Sequence, residues 1–123
     1  MIKILVIFAL FFINNAVFGQ ITPINKDFRD KIVSGIYKIE GGNRTRFPFG
    51  IKSIDTGGNY EKSKRICENT VTNNWIRYQK LNLEEKKKFH CYLDFLASRY
   101  CPSSDDPIGH KNWIRNIHSF IDK

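Results

Sequence analysis

The chain has 123 residues, 41% of them hydrophobic and 14% aromatic, with 20 Lys and Arg against 12 Asp and Glu, a formal charge of +8. That length accommodates one domain with a modest core and not two. A basic surface is drawn to anionic polymers in general, but neither an Arg-rich repeat nor zinc-finger spacing accompanies the charge, which argues against a nucleic-acid partner.

In chain order, Lys3, the apolar run Ile4 to Phe12 and the small residues leading to Gly19 have the pattern of a secretory signal peptide, residues 1–19, cut before Gln20. The run is well short of the ~20 residues a span needs. A secreted or periplasmic protein follows, with no stable membrane insertion after cleavage and with residues 20–123 as one monomeric domain. Phe28, Ile32, Ile36 and Ile39, with Val33 beside them, then fall on one helical face. Asn25 or Asp27 can cap this helix, and Gly41-Gly42 stops it. Glu40 lies four residues after Ile36 and so shares the apolar stripe. Such an acid is either a solvated last-turn glutamate or a carboxyl group facing a groove.

Asn43 to Ile54 has no helical period, contains Pro48 and Gly50, and reads as a loop or short β-ribbon; Thr56 to Asn59 is a turn. A second helix is predicted from Tyr60 to Gln79, burying Cys67, Val71, Trp75 and Tyr78. A third is predicted from Leu83 to Tyr100, with Phe89, Tyr92, Leu93, Leu96 and Tyr100 on one face and Glu84, Glu85 and Lys86 to Lys88 on the other. Cys101-Pro102 ends it. Ser103 to Gly109 reads as a polar loop, and a last helix from Asn112 to Ile121 buries Trp113 or Ile114, Ile117 and Ile121. The fold class is mainly α.

Three cysteines in an exported chain suggest one disulfide and one thiol. Spacing does not decide the pairing; a Cys67–Cys101 bridge is preferred because it joins two helices. Cys91 and His90 are adjacent on a helix and point about a hundred degrees apart, so they do not form a nucleophile and base. His90, His110 and His118 lack metal-ligand spacing with any acid or cysteine, and no metal or other cofactor is expected. Asn43-Arg44-Thr45 matches a glycosylation sequon. Phe47, Phe49 and Tyr60 lie in or beside the loop, where exposed rings could stack on sugars.

A mostly helical exported domain with a glutamate at a helix end, then Gly-Gly, then an irregular segment closing on Phe49-Gly50-Ile51-Lys52-Ser53-Ile54, resembles the lysozyme-like superfamily, in particular goose-type lysozymes and lytic transglycosylases. The resemblance implies Glu40 as the catalytic acid, and Phe49, Gly50, Ile51 and Ser53 as the wall of the cleft. Tyr100, in Tyr100-Cys101-Pro102, and more loosely Asn112-Trp113 are similar to the positions that close its far side. Lys52-Ser53 stands where the family has Met-Gln, and Gly41 where transglycosylases usually have serine. The implied activity is cleavage of β-1,4 bonds between the amino sugars of peptidoglycan or a related polymer.

Hydrolysis by the two-carboxylate route needs a second acid. Asp55 is the nearest candidate, followed by Glu61 and Asp106. The transglycosylase route needs only Glu40, because the substrate's own groups complete the reaction and an anhydro-sugar leaves. Ile36, Phe47 and Phe49 are the apolar neighbours available to Glu40, and Arg44 and Arg46 the opposing charges. The competing class is a non-catalytic secreted glycan- or protein-binding module with a lysozyme-like shape.

Overall fold

The computed structural model describes residues 20–123; the signal-peptide reading of residues 1–19 lies outside them. The described residues form helices joined by turns and loops, with no strand among them: α1 Lys26–Ile39, a single 3-10 turn at Gly42–Arg44, α2 Tyr60–Lys80, α3 Leu83–Lys86, α4 Tyr92–Tyr100 and α5 Pro107–Ile121. The segment after α1 is therefore a loop and not a β-ribbon. Among these residues no helix is long and apolar enough to cross a membrane.

Helices α1, α2 and α5 each start on a side chain suited to that role. Asn25 accepts from the Phe28 amide ahead of α1, and Asn59 from the Lys62 amide ahead of α2, satisfying amide donors that have no partner inside the helix. α1 ends at Gly41, whose φ of 97° lies in the left-handed region that stops a helix cheaply only at glycine. α1 packs against α2 and α5, and α4 packs against the same two helices. Between them Ile32, Ile36, Cys67, Val71, Leu96 and Ile117 are fully buried. Burial of each large aliphatic side chain contributes about 1.5–3 kcal/mol of transfer free energy. Tyr92 closes one end of this core by donating its hydroxyl to the Val71 carbonyl at 2.6 Å. The segment before α1 is fastened to α2, where Trp75 Nε1 and Gln79 Nε2 donate to the Thr22 carbonyl at 2.6 and 3.0 Å.

Two helix boundaries differ from expectation. The helix expected from Leu83 to Tyr100 is broken at residues 87–91 into α3 and α4. Asn82 and Glu85 form a capping box that starts α3, and Cys91 is extended (φ −160°, ψ −179°) before α4. The gain is aromatic packing: Phe89 meets Phe95 edge-on at 5.2 Å between ring centroids. In an unbroken helix, residues six apart lie about 120° apart around the axis and could not touch. The last helix begins at Pro107 and not at Asn112, so the polar loop before it is shorter than expected. Asp106 caps it, accepting from the Gly109 amide at 2.9 Å, and Pro107 takes the first-turn position where a missing N–H costs nothing. Asp-Pro was the signal for this start, outweighed by the polar run of Ser103 to Gly109. Asp106→Ala is expected to cost about 1 kcal/mol and to lower the thermal midpoint by about 4–8 °C, measurable by circular dichroism.

Candidate functional site

Glu40 sits where α1 gives way to the loop, with its backbone N–H still bonded to the Ile36 carbonyl at 2.9 Å. Its side chain turns inward and is half-buried. Carboxyl Oε1 accepts from the indole Nε1 of Trp113 at 3.0 Å, across 73 residues of sequence. Trp113 projects from the second turn of α5 and is itself 5% exposed. On its other side the carboxyl group lies over Gly50. A Cβ built there would stand 2.5 Å from Glu40 Cδ and 2.7 Å from Oε2, and the φ of Gly50 is +75°. Only glycine supplies both that conformation and that clearance.

The Trp113 ring stacks on Tyr100 at the end of α4, with centroids 5.3 Å apart and planes 22° from parallel. The Tyr100 hydroxyl in turn meets the Sγ of Cys67 on α2 at 3.4 Å. Glu40, Trp113, Tyr100 and Cys67 thus form a continuous line of contacts through three of the long helices and the end of α1. Burial dominates the two inner groups. It pushes the Tyr100 hydroxyl far above its ordinary range, and the Cys67 thiol up to about 12 against a smaller opposing effect of its bond to Tyr100. Neither ionises near neutral pH. Cys67, Cys91 and Cys101 stand as thiols in this structure.

The loop that carries Gly50 is held by aromatic packing and by its own backbone. Gly50 N–H bonds to the Phe47 carbonyl at 2.9 Å, and the Phe47 amide to Thr45 Oγ1 at 3.2 Å. Phe49 is 2% exposed and packs against Tyr37 and Tyr60, at 5.2 and 5.9 Å between centroids. It therefore supports the loop from beneath and offers no free ring face. Tyr60, 45% exposed, and half-buried Phe47 are the rings of this region that reach the surface. A shallow recess with room for about one water opens between Phe47, Ile51 and Ile54 on the loop and Ser63 and Ile66 on α2. A broader open depression beside Tyr37, Lys38 and Arg44 lies at the end of α1. Neither is lined by Glu40.

The remaining expected residues are dispersed. Ile51 is half-buried against the core, and Ser53 is exposed. Asp55 is exposed and paired with Arg46, whose Nε donates to Oδ1 at 3.2 Å; the Gly57 amide donates to the same oxygen at 2.8 Å. These donors, Arg46 first, hold the Asp55 carboxyl below the usual carboxylate range. The same pairing engages Arg46, one of the two charges expected to oppose Glu40. Asn112 is exposed and accepts from Arg115 at 2.8 Å. The structure thus brings Glu40, Gly50, Tyr100 and Trp113 together and leaves Ser53, Asp55 and Asn112 at the surface. The direct Trp113 to Glu40 bond has no sequence signal beyond the apolar face of α5.

No protein-family model matches this chain, and neither the curated proteins nor the solved structures include a significant match to it.

Proposed function

We propose that this chain is an exported enzyme that cleaves β-1,4 bonds between amino sugars of peptidoglycan or a related polymer, with Glu40 as general acid. The observation that carries the reading is the way the Glu40 carboxyl group is held, with Oε1 fixed by the Trp113 N–H and Oε2 beside Gly50, at a half-exposed helix end. A general acid must present one oxygen in a set direction, and fixing the other oxygen does that.

In the proposed step Oε2 gives its proton to the glycosidic oxygen, the bond from that oxygen to C1 breaks, and positive charge develops on C1. A hydroxyl of the same sugar then attacks C1 and returns its proton to the Glu40 carboxylate, leaving an anhydro-sugar. A one-carboxylate route is supported by the other candidate acids, since Asp55 is tied to Arg46, Asp106 caps α5 and Glu61 is exposed in the first turn of α2. Stacked Tyr100 and Trp113 keep the acid in place from below.

The test is to incubate the purified protein with purified peptidoglycan and identify soluble products by mass spectrometry. Anhydro ends support the one-acid route, and reducing ends a hydrolase. If the protein sediments with the polymer but releases nothing soluble, the non-catalytic binding module replaces the enzyme.

A further inference from the structure

Away from Glu40, the last turn of α5 brings His118 against the start of α4. His118 Nε2 lies 2.9 Å from Asp94 Oδ1 and 3.8 Å from Cys91 Sγ, and the sulfur is 3.8 Å from the same carboxylate oxygen. Beyond the far edge of the ring the exposed Asp122 Oδ2 stands 4.0 Å from Nδ1. The sequence spacing of the histidines hid this cluster, because His118 is 24 and 27 residues from its two neighbours.

We propose that Cys91, Asp94 and His118 are the ligands of a zinc ion that fastens the start of α4 to α5. Three observations support this. The first is geometry. With bonds of about 2.3 Å to sulfur and about 2.0–2.1 Å to nitrogen or oxygen, a tetrahedral site has edges of about 3.6 Å at sulfur and about 3.4 Å between nitrogen and oxygen. The sulfur edges already match to within about 0.2 Å, and the nitrogen to oxygen edge has to open by about 0.5 Å. The second is ligand chemistry. A thiolate with an imidazole and one carboxylate suits zinc, whereas magnesium and calcium seek oxygen alone.

The third is Asp122. Its carboxylate stands 4.0 Å from Nδ1, longer than a hydrogen bond, but its exposed side chain can turn to accept from Nδ1–H once the metal takes Nε2, as in carboxylate–histidine–zinc arrangements. A plain Asp94–His118 ion pair needs neither the thiol nor Asp122. Cys91 precedes α4 without a side-chain capping bond, so its sulfur is not engaged by the helix backbone. Side-chain exposures of 30% at His118 and 20% at Asp94 leave an entry path and a fourth position for water. On binding, a zinc–sulfur bond forms as the thiol proton passes to solvent, and a zinc–nitrogen bond forms at Nε2 as the proton between Nε2 and Asp94 moves to Nδ1, on the side of Asp122. The ion would brace the break at residues 87–91, which lacks continuous helical bonds. A Cys67–Cys101 bridge leaves Cys91 as the remaining thiol, so the two arrangements are compatible.

The test titrates the purified protein, reduced at Cys91 and stripped of metal, with zinc by calorimetry and with cobalt by absorption. We expect one zinc per chain, a thiolate-to-cobalt charge-transfer band, visible bands of tetrahedral intensity, and a thermal midpoint that rises with zinc. Cys91→Ser and His118→Ala should abolish the cobalt bands, while Cys67→Ala and Cys101→Ala retain them. Asp122, 72% exposed, can be replaced without disturbing the core, and Asp122→Asn should weaken zinc binding about 10–100-fold at unchanged stoichiometry. The proposal is overturned if the parent shows no saturable zinc binding, if the cobalt bands survive in Cys91→Ser or His118→Ala, or if Asp122→Asn binds zinc as the parent does.

Discussion

Glu40→Gln is expected to lose at least ~10²–10⁴-fold of peptidoglycan-cleaving activity, the range a general acid contributes, while keeping its fold. The reason lies in the two contacts of the carboxyl group. The amide oxygen can still accept from Trp113 Nε1, now 3.0 Å from Oε1, and the amide nitrogen takes the place of Oε2 over Gly50. Packing is conserved and the transferable proton is gone. Circular dichroism should therefore show an unchanged helical spectrum and a thermal midpoint within a few degrees of the parent, alongside lost lytic activity. Asp55→Asn is the control. Asp55 is exposed and paired with Arg46, so a small loss of activity fits the one-acid route, and a loss equal to that of Glu40→Gln makes Asp55 the second carboxylate of a hydrolase. Full activity in Glu40→Gln would remove Glu40 from the chemistry altogether.

Gly50→Ala should lower activity about as far as a misplacement of the acid by 1 Å, on the order of 10²-fold. Two penalties act together at this position. An alanine at φ +75° pays about 1–2 kcal/mol for the left-handed conformation, and its Cβ would stand 2.5 Å from Glu40 Cδ. The backbone of the loop is held by the Gly50 to Phe47 bond and by buried Phe49. The half-buried Glu40 side chain is the softer partner, so it is the carboxyl group that moves. The bond to Trp113 is then strained or broken, and the oxygen that should carry the proton points elsewhere. Gly57→Ala separates the two penalties, because Gly57 has φ +65° but nothing within 4 Å of its Cβ position. Gly57→Ala should lose stability by a similar conformational amount and keep its activity. In a Glu40→Ala background the steric part of the Gly50→Ala cost should vanish, a non-additivity of at least about 0.5 kcal/mol. Equal activity in Gly50→Ala and the parent would show that the seat of Glu40 on Gly50 does not matter to function.

The Glu40 and Cys91 groupings differ in how each depends on helix packing. Glu40 is placed by one helix end and one loop close in sequence, and its remaining partner comes from α5. Cys91 and Asp94, three residues apart, meet His118 because α5 lies alongside α4.

Much of the helical framework was legible in the sequence because it depends on signals only a few residues apart. The apolar period of four, four and three set α2 almost to its observed ends, Asn25, one of two candidate caps with Asp27, and Gly41 bounded α1, and Cys101-Pro102 closed α4. The position of Glu40 on the inward stripe of α1 followed from its spacing to Ile36 alone. Where local signals competed, the tertiary structure decided. Periodicity favoured one helix through residues 87–91, but contact between Phe89 and Phe95 requires the break. Asp106-Pro107 started α5 earlier than the polar run suggested. The bond from Trp113 to Glu40 and the meeting of His118 with Cys91 and Asp94 join residues 24 to 73 apart. Such convergence is fixed by how helices lie against one another in a shared core, and a periodic pattern says which face of a helix is buried without saying which residue of another helix it will touch.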